Sequence, residues 1–226
     1  MEYTIKGGSL PAVIIQLEAG ESIISQAGGR TWARGDVLTE TKSEGGIGKS
    51  ISRMFTGESP FLSRYTARST SEIAFSSSFP GTIIERTLGK GESIIAQKTA
   101  FLCATEEIEL STHFQKKLGT GLFGGEGFIM QKITGPGLVF LEIDGYCQEY
   151  DLKTGERLVC DTGVLAAMDT TCEMDIQRVK GVKNVLFGGE GLFDTVVTGP
   201  GKVYLQTMTI PKLAQLIIPY IPTSNS

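Results

Sequence analysis

The sequence is poor in the residues that usually announce chemistry. It holds one histidine, His113, and one tryptophan. A single imidazole excludes a histidine-rich metal centre, and a Ser-His-Asp triad has only that residue to be built around. Four cysteines, Cys103, Cys147, Cys160 and Cys172, show no C-x-x-C spacing, so neither a zinc site nor a redox dithiol is expected. Positive charge does not predominate: 21 Lys and Arg stand against 25 Asp and Glu, a net charge of -4. Without a basic stripe there is no electrostatic footprint for nucleic acid. No apolar run reaches the roughly 20 residues that cross a bilayer as a helix. Residues 1–8 lack the basic start and apolar stretch of a secretory signal, and a cytoplasmic protein is expected.

Glycine, by contrast, is abundant at 29 residues, with eight prolines, and these fall at regular turn positions. The most conspicuous stretch is Leu122-Phe123-Gly124-Gly125-Glu126-Gly127, followed by Thr134-Gly135-Pro136-Gly137. It recurs as Leu186-Phe187-Gly188-Gly189-Glu190-Gly191 and Thr198-Gly199-Pro200-Gly201, with a constant offset of 64 residues. A second block recurs with it. Gly20-Glu21-Ser22-Ile23-Ile24 matches Gly91-Glu92-Ser93-Ile94-Ile95 and then Gly155-Glu156-Arg157-Leu158-Val159, at offsets of 71 and 64. Self-similarity at a fixed period marks a repeated supersecondary unit. The chain divides into a leading strand near residues 1–9, units near 10–78, 79–142 and 143–206, and a helical tail at 207–226. A worn copy of the glycine motif falls at Met54-Phe55-Thr56-Gly57-Glu58-Ser59.

Within each unit, runs of four to seven residues rich in Ile, Val, Phe and Thr are broken by Gly turns. Thr39-Glu40-Thr41, Ile108-Glu109-Leu110 and Cys172-Glu173-Met174 alternate as half-buried strands do. The expectation is an all-β protein: one compact domain, 1–226, with three repeats of a sandwich or barrel-like unit about a pseudo-threefold axis. One or two short helices are added. Ile47, Ile51, Met54 and Phe55 lie on one helical face opposite Lys49 and Arg53. In the tail, Pro211 suits a first helical position, Leu213, Leu216 and Ile217 form a stripe, and Pro219 stops the helix.

These blocks together resemble a widespread prokaryotic family related to a mitochondrial biogenesis protein of the altered-inheritance-of-mitochondria group. The resemblance spans almost the whole chain. It implies a fold similar to the tryptophan RNA-binding attenuation protein and assembly into homo-oligomers, and it brings no catalytic residues with it.

Several motifs invite a chemical reading. Ser43-Glu44-Gly45-Gly46-Ile47-Gly48-Lys49-Ser50 is one residue short of a phosphate-binding loop, but no buried parallel strand leads into it. Gly119-Thr120-Gly121-Leu122-Phe123-Gly124 fits a dinucleotide fingerprint in letters only, because the residues after it are strand-like where a helix is required. Shifting the four cysteines by 64 places them on Ala167, Ile83, Ala96 and Ile108, so the thiols occupy core positions. His113 aligns with Gln177 and is expected to be solvated, on a basic loop with Lys116 and Lys117.

Two sets of carboxylates recur once per unit: Glu58, Glu126 and Glu190, and Glu21, Glu92 and Glu156. Each set either forms a ring able to hold a hard cation or braces its own turn through backbone N–H groups. The stripe of Ile47, Ile51, Met54 and Phe55 either seats on a membrane or partner, or covers the core or a subunit interface. With no catalytic or cofactor-binding residue in view, the expected role is a non-enzymatic scaffold or interaction protein. It would form homo-oligomers, trimeric or multiples of three, and contact unidentified protein partners or a membrane surface. The alternative is a binder of a small ligand or RNA, with nucleic acid disfavoured by charge.

Overall fold

The computed structural model describes residues 1–43, 61–116, 127–178 and 193–221. Among them are nineteen strands, all paired antiparallel, and one short α-helix. The all-β class expected from the short Gly-bounded runs is what the chain adopts.

The amino-terminal strand β1 (Glu2–Lys6) flanks a four-stranded sheet in the order β1-β2-β7-β4, with β2 Ala12–Leu17, β4 Trp32–Arg34 and β7 Ser71–Ser76. A six-stranded sheet follows, ordered β5-β6-β3-β10-β13-β8. It contains β3 (Ser22–Gln26), β5 (Val37–Ser43), β6 (Phe61–Ala67), β8 (Gly81–Leu88), β10 (Phe101–Thr105) and β13 (Gly137–Asp144). The next, ordered β11-β12-β9-β16-β19-β14, contains β9 (Ser93–Gln97), β11 (Glu109–Lys116), β12 (Phe128–Thr134), β14 (Cys147–Leu152), β16 (Leu165–Asp169) and β19 (Gly201–Gln206). A three-stranded sheet β15-β18-β17 closes the series, from Arg157–Asp161, Phe193–Thr198 and Glu173–Arg178.

Sequence explains which strands are interior. In β9, Ile94, Ile95 and Ala96 are consecutive and all buried, the pattern of a strand covered on both faces. In β11 exposure alternates residue by residue, as it does in a strand with one wet face, and β11 lies at a sheet edge. His113 belongs to this strand and not to a loop: the register shifts between Thr112 and Phe114, so His113 sits at a bulge, exposed.

Three apolar clusters fill the space between neighbouring sheets. One gathers Val13, Ile15, Phe75 and Phe140, a second Ile24, Ile94, Leu141 and Tyr204, a third Phe128, Met130, Val197 and Val203. Each cluster draws on at least two sheets, so the sheets are held by burial between them. Truncating a fully buried phenylalanine such as Phe75 or Phe140 to alanine costs about 3–5 kcal/mol.

All four cysteines are free and pack within or against these clusters. The tail forms helix α1 (Ile210–Ile217), capped by the Thr209 hydroxyl, which accepts a hydrogen bond from the Lys212 N–H at 3.3 Å. The helix expected over residues 47–55 lies outside the described residues.

Candidate functional site

The recurrent Gly-Glu and Thr-Gly-Pro-Gly blocks meet in space. Gly91 N–H donates to Gly135 O at 3.4 Å and Gly135 N–H to Glu92 O at 2.9 Å. The corresponding bonds further along are Gly155 to Gly199 at 3.2 Å and Gly199 to Glu156 at 2.9 Å. Near the amino terminus Gly20 and Ala67 make the same exchange, the Gly20 N–H reaching Ala67 O at 2.8 Å and the Ala67 N–H reaching Glu21 O at 3.0 Å. Among the motif glycines, Gly135 and Gly199 are needed because backbone lies against backbone, whereas Gly20, Gly91 and Gly155 have open space beside them and supply the positive φ of their turns. A Cβ on Gly199 would fall 2.5 Å from Lys153 O.

Each glutamate of these turns braces its own corner. Glu21 Oε2 accepts from the Glu18 N–H at 2.9 Å, Glu92 Oε2 from Gly89 at 2.8 Å, and Glu156 Oε2 from Lys153 at 2.9 Å. An ionised carboxylate on a backbone donor makes a charge-assisted bond, and here it ties down the first donor of the turn. For Glu21, Glu92 and Glu156 the brace is therefore the observed role. The other triplet, Glu58, Glu126 and Glu190, lies outside the described residues. So do Ile47, Ile51, Met54 and Phe55, the glycine pattern at 119–124, and all of the phosphate-loop-like stretch but Ser43. Among the described residues no three His, Cys, Asp or Glu side chains gather as metal ligands.

A polar cleft of about 490 Å³ opens where β3 meets β10. Its walls include Gln26, Arg30, Ser77, Ser78, Thr99 and Glu142. Glu142 follows Val139, Phe140 and Leu141 on β13 and is itself buried. Such a carboxylate needs donors, and the segment after β7 supplies them. Ser78 gives its N–H at 2.6 Å and its hydroxyl at 2.9 Å, and the Ser77 hydroxyl lies 3.1 Å away. All three act on Oε2, and Oε1 takes no hydrogen bond from the described residues. Arg30 contributes the cleft's cation, with its guanidinium 5.5 Å from the Tyr65 ring centre and donating to Thr39 at 3.1 Å. Two residues beyond Glu142, half-buried Asp144 has its carboxyl pushed up to about 6 by burial and by the Glu142 charge.

Glu142 stands opposite Ile83 in the ladder, Gln206 opposite Cys147, and Ser76 opposite Ala12. These are one backbone slot met three times, filled by three different polar residues. Gln206 uses the slot differently: its amide donates to Gln97 Oε1 at 2.9 Å and to Gly163 O at 2.6 Å, while its oxygen accepts from the Asp144 N–H at 3.2 Å. That amide network satisfies itself where β9 meets β16. Nearby, Arg86 donates to the Tyr204 hydroxyl and stands 3.5 Å from Asp169, whose other oxygen accepts from the Lys202 N–H at 2.9 Å.

Sequence reasoning overlooked Glu142. Its signal was the 64-residue offset itself, which sets a carboxylate against Gln206 at the end of an otherwise apolar strand.

The fold and its contents define a class: all-β proteins of serially joined antiparallel sheets, with a polar cleft at a joint. The family model described as mitochondrial biogenesis AIM24 matches residues 3–208, and the chain belongs to that family. An uncharacterised protein of Streptococcus pyogenes serotype M6 is 27% identical over 235 residues, covering 100% of this chain and 93% of that one. The crystal structure of a Streptococcus pyogenes protein matches with a TM-score of 0.80 at 23% identity, over 97% of this chain and 99% of the other. That likeness shows the shared fold.

Proposed function

We propose that this protein is a non-enzymatic scaffold or interaction protein, acting by contact and not by turnover. The observation that carries this reading is the apolar surface of the tail. No residue of α1 is buried, and Leu216, Ile217, Ile218, Tyr220 and Ile221 are exposed in succession. An apolar patch of this kind on a soluble body marks a contact surface. No helix among the described residues is long and apolar enough to cross a membrane. Four free thiols suit a reducing compartment, which supports a cytoplasmic setting for this role. The acidic balance argues against a nucleic-acid partner.

The test compares the full chain with one ending at Met208, by light scattering alone and by flotation with phosphatidylcholine vesicles. The reading expects the full chain to associate with itself or float with the vesicles, and the truncated chain to do so less. Identical behaviour of the two chains in both assays would overturn it.

A second reading, binding of a small ligand, is favoured by the Glu142 cleft. Its volume of about 490 Å³ falls in the ordinary range for such sites, roughly 300–1,000 Å³. A carboxylate oxygen without a protein donor among the described residues suits an amine or hydroxyl group. A panel of polyamines and sugars tested by thermal shift supports this reading if a rise in Tm disappears in Glu142→Gln. No rise with any member of the panel counts against it.

A further inference from the structure

We infer that the cleft at Glu142 holds a small zwitterion of amino-acid type, with its primary ammonium on Glu142 and its carboxylate on Arg30. The inference deepens the small-ligand reading of that cleft and rests on it.

The chain forms the same joint twice, once closed and once open. Offsets of 64 and 71 residues carry the β9–β16 pairing onto β3–β10 in the same register, and with it Gln206, Gly163 and Gln97 onto Glu142, Thr99 and Gln26. In the closed joint Gln206 is a donor between two acceptors. Its NH2 group gives one hydrogen bond to Gln97 Oε1 at 2.9 Å and one to Gly163 O at 2.6 Å, while its oxygen accepts from the Asp144 N–H. Every polar atom of that side chain is used.

Glu142 repeats half of this arrangement. Its Oε2 accepts the Ser78 N–H at 2.6 Å, and Ser78 stands two residues past Ser76 in the shared slot as Asp144 stands two past Glu142. Oε2 therefore takes the part of the Gln206 oxygen, and Oε1 falls where Gln206 has its NH2. A donor has been exchanged for an acceptor. Around it, Gln26 and Thr99 both line the cleft, and Gln26 turns its own NH2 onto Lys98 O at 3.0 Å, which leaves its amide oxygen as a second acceptor.

Charge selects what fills the gap. Glu142 is 9% exposed, and its hydrogen bonds from the described residues all fall on Oε2. One of these is shared, because the Ser77 hydroxyl also reaches Phe79 O at 2.9 Å and has a single proton to give. A buried carboxylate served on one oxygen is matched best by an opposite charge that brings its own donors. An ammonium group brings three N–H protons, whereas a hydroxyl brings one and no charge.

Arg30 sets the other end. It lines the same cleft, is steadied by Thr39 and the Tyr65 ring, and pairs with no carboxylate among the described residues. Its guanidinium disfavours a second cation and keeps N–H donors for an anion, in a geometry suited to a carboxylate. A ligand with one charge of each sign satisfies both groups.

The experiment is calorimetric titration of the full chain at low salt with glycine, β-alanine, 4-aminobutyrate, 5-aminovalerate, diglycine and triglycine. Butylamine and butyrate serve as controls with one charge each. One span should bind best, measuring the separation of Glu142 from Arg30, and each control should bind about fivefold more weakly or worse. Preference for diglycine or triglycine over the ω-amino acids identifies a peptide, and the reverse a free amino acid, as the occupant. Glu142→Gln installs the residue that the closed joint already carries, so it should keep or raise Tm while weakening binding by about thirtyfold or more. Arg30→Met, on an exposed side chain, should bring the best zwitterion down to the level of butylamine.

Equal binding by wild type and Glu142→Gln overturns the inference. So does butylamine binding as tightly as the best zwitterion, or no zwitterion binding at about 10 mM. If a sugar or polyamine raises Tm through Glu142 while every zwitterion fails, the small-ligand reading stands and this assignment falls. If nothing in either panel binds, both fall.

Discussion

Asp144 gives the sharpest test of the cleft's electrostatics. Its carboxyl ordinarily titrates at 3.8 and is held at about 6 in the folded chain. The folded state thus keeps a proton that the unfolded chain has already lost between those values. Stability contributed by the neutral form is present at the acid end and is lost as pH rises through 6. A shift of about two units is worth roughly 3 kcal/mol at full strength. Asp144 is only half-buried, and solvent screening cuts this to about 1 kcal/mol. Asp144→Asn keeps the shape and removes the charge, so it should stabilise the protein by about 1 kcal/mol at pH 8, a rise in Tm of about 2–4 °C. The gain should shrink steadily toward pH 4.5. Urea melts of both proteins across that range would measure it. If Asp144→Asn is neutral or destabilising at pH 8, or its effect is the same at both ends, the account of this cluster is wrong.

The turns and the thiols give two more expected outcomes. Gly155 has φ +75° with open space around its missing Cβ, whereas Gly199 is hemmed in by Lys153 O and Leu152. Gly155→Asn should therefore be mild, since asparagine tolerates the left-handed region, while Gly199→Asn should cost about 1–3 kcal/mol; equal costs in denaturant melts would contradict this. Burial pushes the Cys103 thiol well up and the Cys160 thiol to about 12. Alkylation of the native protein at pH 8, with mass spectrometry as the readout, should label half-buried Cys147 first and Cys103 only as the chain opens. Labelling of Cys103 at the rate of a free thiol would refute that ordering.

Much of the architecture was legible because it is written in backbone chemistry. Gly91 and Glu92 repeat because the turn needs a left-handed residue and a carboxylate brace, and Gly135 and Gly137 repeat because only glycine leaves room for what packs against them. The alternation in β11 and the consecutive apolar residues of β9 mark an edge strand and an interior strand without reference to their partners. Pro211 and the Leu213, Leu216, Ile217 stripe located α1. Sequence could not say that the stripe would be left uncovered, because periodicity names a face and not its neighbour.

The cleft was harder to see. Its parts come from β3, β7, β10 and β13, far apart in sequence, and Ser77 and Ser78 belong to no repeated block. His113 lies on a strand and not on the expected loop: the alternation of β11 runs through it, and Lys116 and Lys117 beside it are what read as a basic loop.

The slot shared by Ser76, Glu142 and Gln206 bears on stoichiometry. Three identical subunits would have to carry the same residue at every joint. Here the slots of Ser76, Glu142 and Gln206 lie on one chain, so each can be altered alone, and only one of them carries a carboxylate. A ligand that reads Glu142 binds once per chain.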